Sequence, residues 1–113
     1  EILSNKIELF LEKSKQTELH QHLIPSQSAI QAFVVKGNEK AKFLSEKAKN
    51  AGFYIKPILS PTVKEGSERL RICLHSYNSE NEIDNVLKQL TFMWLLRNKL
   101  VYTINQIHYE NEI

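Results

Sequence analysis

The chain has 113 residues, 42% hydrophobic and 25% charged, which suits one folded domain with a single modest core. Its net charge of +2 comes from 15 basic and 13 acidic side chains scattered along the chain, so there is no electrostatic footprint for nucleic acid. One cysteine excludes an internal disulfide framework and a cysteine-rich zinc site, and the longest late apolar run, FMWLL (92–96), is too short to span a bilayer.

The first residue is not Met and helical spacing begins at once, so the chain reads as a piece of a longer protein. Leu3, Ile7, Phe10 and Leu11 share one helical face and predict a helix over 1–20. IPSQS (24–28) breaks it, because Pro25 has no amide to donate. AIQAFVVK (29–36) predicts a strand, and the adjacent Phe33, Val34 and Val35 predict burial on both its faces. Asn38 is the expected N-cap of a helix over 39–50, carried by Ala41, Leu44, Ala48 and Ala51, with Gly52 as its left-handed C-terminal cap. FYIKPILS (53–60) is a second strand, placed at a sheet edge by Pro57. PTVKEG (61–66) is a loop and ERLRICLH (68–75) a third strand. SENE (79–82) is a capping box that opens a helix with the stripe Ile83, Val86, Leu87 and Leu90. The tail, 91–113, is apolar nearly all round and fits a helix or, at LVYTI, a strand; such a surface needs cover, and an oligomer contact is expected there.

Strands separated by amphipathic helices predict an α/β chain of the α+β two-layer kind: a small antiparallel or mixed sheet with helices on one face. Within the third strand, pleat alternation sends Leu70, Ile72 and Leu74 toward the helices and Arg69, Arg71, Cys73 and His75 the other way. A strand-held arginine fork suits a carboxylate, with Thr62 of the preceding loop as a second contact. The plainer alternative pairs Arg69 and Arg71 with Glu65 or Glu68 at the surface. Cys73 reads as a small filler. His20 and His22 lack an evident third ligand, so no metal site is expected.

The stretches SQSAIQAFVVKGNEKA, AGFYIKPILSPTVKEGSERLRICLHS and NSENEIDNVLKQL resemble the C-terminal small domain of the α-oxoamine synthases, pyridoxal-phosphate enzymes of the aspartate-aminotransferase fold type. The resemblance covers roughly residues 20–90. The family pattern P-P-T-V-P-x-G-x-x-R-x-R is met by Pro61, Thr62, Val63, Gly66, Arg69 and Arg71, and its I-D-x-x-L helix by Ile83, Asp84 and Leu87. Ser60 and Lys64 replace prolines of that pattern, which predicts a looser loop, and Asn78 stands where the family usually has His.

The resemblance implies substrate-binding roles for Arg71, toward the amino-acid carboxylate, and Thr62. It divides the single domain into a helix from the interdomain region (1–20), a small-domain core (21–90) and an unassigned tail (91–113). It implies a cytoplasmic, homo-oligomeric parent that uses pyridoxal phosphate to condense L-alanine with a pimeloyl thioester, losing carbon dioxide, in biotin synthesis. The glycine and acetyl-CoA reaction is the alternative, disfavoured by Thr62. The lysine that anchors the cofactor belongs to the large domain, so the isolated chain is expected to hold no cofactor, bind no metal and catalyse nothing. A non-catalytic interaction module of the same fold is the reading from a different class.

Overall fold

The computed structural model describes residues 2–48 and 53–112. Helix α1 (Ile2–Ser14) leads through a short 3-10 turn (Glu18–His22) to strand β1 (Ile30–Val34), helix α2 (Asn38–Lys47), strands β2 (Ile55–Ile58) and β3 (Arg69–Cys73), and helix α3 (Glu80–Glu112). The sheet order is β1-β3-β2, and β3 runs antiparallel to both neighbours. The third strand in sequence is therefore the central one. Pro57 lies on edge strand β2, where its missing amide costs no ladder bond to a further strand.

The helices cover one face of the sheet, making a two-layer α+β sandwich. Phe33, Leu70, Ile72 and Leu74 are at most 1% exposed and meet Phe10, Leu44, Ile83, Val86, Leu87 and Leu90 in one core. The rings of Phe10 and Phe33 lie 6.0 Å apart, joining α1 to the sheet. Lys13 bridges α1 to the start of α3 through Glu80 (3.7 Å) and Asp84 (3.6 Å).

Several expectations need correction. The first helix stops at Ser14, not residue 20, because the backbone tightens: Gln16 donates to Lys13 and Thr17 to Ser14, while the Ser14 hydroxyl bonds back to Leu11 (2.8 Å). Strand β1 is not buried on both faces. Gln31 and Phe33 are buried, Ile30 is 51% exposed, and Ala32 and Val34 are half-buried, because no second layer covers the outer face among the described residues. Asn38 is the first residue of α2 rather than its cap; Gly37 holds the cap position at φ +115°, a backbone that an L side chain resists. That helix ends at Lys47, short of the expected residue 50, with Ala48 at its C-cap position; the expected cap at Gly52 lies outside the described residues. The tail is helix: α3 runs 33 residues, about 50 Å at 1.5 Å per residue, in a molecule 60 Å long. The capping box forms as expected, with Glu82 N–H on Ser79 Oγ (3.1 Å) and Ser79 N–H on Glu82 Oε1 (2.8 Å). No helix among the described residues is long and apolar enough to cross a membrane.

Candidate functional site

The outer face of the sheet follows from register. Arg71 sits between Ala32 on β1 and Lys56 on β2; Arg69 sits between Val34 and Ile58. A depression of about 410 Å³ opens there, with Ile30, Ala32 and Ile58 as an apolar floor and Arg69, Arg71, Ser26 and Ser28 as polar rim. The two arginines differ. Arg69 is tied down, its Nε donating to the Ser67 carbonyl at 3.0 Å. Arg71 is exposed and has neither a hydrogen bond nor an ion pair among the described residues. A guanidinium on a central strand, beside apolar surface and without a partner, is a rigid fork for a carboxylate.

Neither Glu65 nor Glu68 pairs with these arginines. Glu68 is buried and turned to the backbone, where its Oε1 accepts from Gly37 N–H (2.8 Å) and Gly66 N–H (3.0 Å). Amide donors, its own N–H first and then those of Gly37 and Gly66, hold its carboxyl below the usual range, against the opposing pull of burial. Gly66 adopts φ +92° in making this contact. The loop is also pinned at its start: Ser60 N–H donates to Asn38 Oδ1 (3.0 Å) and Asn38 Nδ2 to the Ser60 carbonyl (3.3 Å). A proline at 60 would have no N–H for this bond. Thr62 lies exposed on the turn closed by Val63 N–H on the Leu59 carbonyl (3.1 Å). It does not line the depression, and no hydrogen bond joins it to Arg71 among the described residues.

One residue that sequence reasoning passed over, Gln31, shapes the surroundings. Gln31 is fully buried, and its Nε2 donates to the carbonyls of Ser28 (2.8 Å) and Ser26 (3.3 Å), holding the rim loop against β1. A Gln at an inward strand position was the available signal. Asn78 closes the turn before α3, its Oδ1 accepting from His75 N–H at 2.7 Å, while Ser79 caps the helix. Cys73 is exposed and fills no gap in this chain. His75 stacks on Tyr77 with ring centroids 4.8 Å apart, and His22 packs on Trp94 at 4.9 Å. Among the described residues no group of three His, Cys, Asp or Glu side chains could hold a metal ion.

No family model matches the chain. Sequence relatives decide the resemblance. A protein from Saccharophagus degradans is 42% identical over 72 residues, covering 64% of this chain and 18% of the relative. One from Buchnera aphidicola subsp. Baizongia pistaciae is 32% identical over 89 residues, covering 78% and 22%. Both are 8-amino-7-oxononanoate synthases. The chain thus spans about a fifth of the length of these curated relatives. The fold agrees. A serine palmitoyltransferase from S. paucimobilis, solved with a bound PLP–myriocin aldimine, superposes with a TM-score of 0.66 at 19% identity, over 81% of this chain and 23% of the other. An 8-amino-7-oxononanoate synthase from Francisella tularensis gives 0.64 at 23% identity, over 89% and 28%. The resemblance to the α-oxoamine synthases holds in sequence and in fold.

By its chemistry the lining of the depression does not fit pyridoxal phosphate. Among the described residues it offers no lysine for an imine bond, no aromatic ring to stack on and no carboxylate for a pyridinium nitrogen.

Proposed function

We propose that this chain is the small-domain part of a pyridoxal-phosphate-dependent α-oxoamine synthase, with residues 1–20 from the interdomain region, 21–90 as the small-domain core and 91–113 as an extension. The activity proposed for the whole protein is that of 8-amino-7-oxononanoate synthase: cytoplasmic, decarboxylative condensation of L-alanine with a pimeloyl thioester, in biotin synthesis, by a homo-oligomer. Pyridoxal phosphate, held by the large domain, supplies the electron sink for that chemistry.

This chain's share is binding and orientation. Arg71 holds the amino-acid carboxylate by paired N–H donors, the apolar floor beside it excludes water, and Thr62 contributes from the loop that Asn38 and Glu68 hold in place. The observation that carries the reading is the partnerless Arg71 on the central strand, within the R-x-R of a chain 42% identical to a synthase. The glycine-using 2-amino-3-ketobutyrate CoA ligase is the sister reading, set second because Thr62 stands in the P-T-V turn. A non-catalytic module is favoured by a separate observation, the exposure of Phe92 (60%) and Leu95 (44%) on α3.

The test is Arg71→Ala in the full-length protein that carries this segment. The KM for the amino acid should rise roughly tenfold to a hundredfold, the worth of one or two charge-assisted hydrogen bonds, with the cofactor's absorbance unchanged. Unaltered kinetics would refute the carboxylate role, and absence of any acyltransferase activity in the full-length protein would favour the module.

A further inference from the structure

A second depression, of about 510 Å³, opens where the start of α2, the 60–68 loop and α3 meet. Three cations from two parts of the chain line it: Lys36, Lys40 and Arg97. Three carboxylates line it too, and none makes an ion pair with them among the described residues. Glu39 reaches Lys42 at 3.9 Å, Glu68 is held by Gly37 and Gly66, and the exposed Glu65 makes no ion pair among the described residues.

Two features of the geometry suit an anion here, and the electrostatics agree with them. Arg97 is partly buried, its guanidinium lying over the Phe43 ring at 5.3 Å at the edge of the depression, and its Nε has no acceptor among the described residues. Helix α2, ten residues long, starts without a side-chain cap, and the amides of Asn38, Glu39 and Lys40 have no acceptor among the described residues. Burial and neighbouring cations both bear on the titratable groups here. Burial and then Arg97 and Lys36 push the Lys40 ammonium below its ordinary range; burial and then Lys36 and Lys40 do the same to the His22 imidazole.

We propose that Lys36, Lys40, Arg97 and the first amides of α2 form a binding site for a phosphate group. A carboxylate offers two oxygens in one plane. A tetrahedral phosphate offers acceptors in several directions, as two ammonium groups, a guanidinium edge and a helix start require. The site shares no residue with the Arg71 face and does not depend on its reading.

The test uses the whole 113-residue chain, titrated with orthophosphate and with pyrophosphate at constant ionic strength, chloride serving as control. Heteronuclear NMR should show saturable shifts centred on the amides of Gly37–Lys40 and on Arg97 Nε–H. Tighter pyrophosphate binding would support a diphosphate ester as the ligand, and equal binding a single phosphate group. Lys40→Gln and Arg97→Gln should each weaken binding roughly tenfold or more, with Lys40→Arg retaining it. Equal shifts with chloride, or unchanged affinity in both glutamine variants, would overturn the proposal. Should a variant unfold, the wild-type shift map still decides: unsaturable shifts, or shifts elsewhere, refute the site.

Discussion

Truncating two neighbouring residues tests the pleat of the central strand. Ile72 is fully buried on the helix side, opposite Gln31 and Ile55, whereas Arg71 is exposed on the other. Ile72→Ala removes three carbons, worth about 2.4 kcal/mol at ~0.8 kcal/mol each. The void left among α2, α3 and the sheet cannot collapse fully and adds about 1 kcal/mol. Arg71→Ala removes a side chain that touches no partner, so its effect should lie within about 0.5 kcal/mol. With a urea slope of about 1.5 kcal/mol per molar, Ile72→Ala lowers the unfolding midpoint by about 2 M, and Arg71→Ala leaves it within about 0.3 M. Equilibrium urea unfolding, followed by far-ultraviolet circular dichroism, reads both. Comparable losses in the two variants would mean that the strand is not two-faced, and the assignment of Arg71 to an open site would fall with it.

Asn38→Ala breaks three hydrogen bonds to Ser60 and should cost about 1–2 kcal/mol in the same assay; it should also speed amide exchange in the 60–66 loop, and unchanged exchange would show that the loop is held by other means. Glu68 has a folded-state pKa below its ordinary value of 4.5, so it contributes stability fully above that value and loses it as pH falls through the lowered one. Glu68→Gln should therefore be less stable than the parent chain near neutrality, with the gap narrowing in acid; a gap that does not vary with pH would count against the amide-held carboxylate.

The parts of this fold legible in the sequence are those decided by neighbours along the chain. The alternation in RLRICL sorted core from open face because side chains on a strand point alternately up and down. Ser79 and Glu82 sit one helical turn apart, so the capping box was visible as spacing. The motif around Thr62 and Arg71 carried the resemblance, and the structure puts Arg71 beside a depression but leaves Thr62 on the adjoining turn. Tertiary structure decided the rest. Asn38 looks like a cap until Ser60, 22 residues away, claims its amide. Glu68 looks like a surface partner for arginine until Gly37, 31 residues away, presents an N–H to it. Phe33, Val34 and Val35 look buried on both sides, yet only one side of the sheet is covered. Local spacing sets which way a side chain points; which backbone group or layer meets it there depends on how distant segments close on one another.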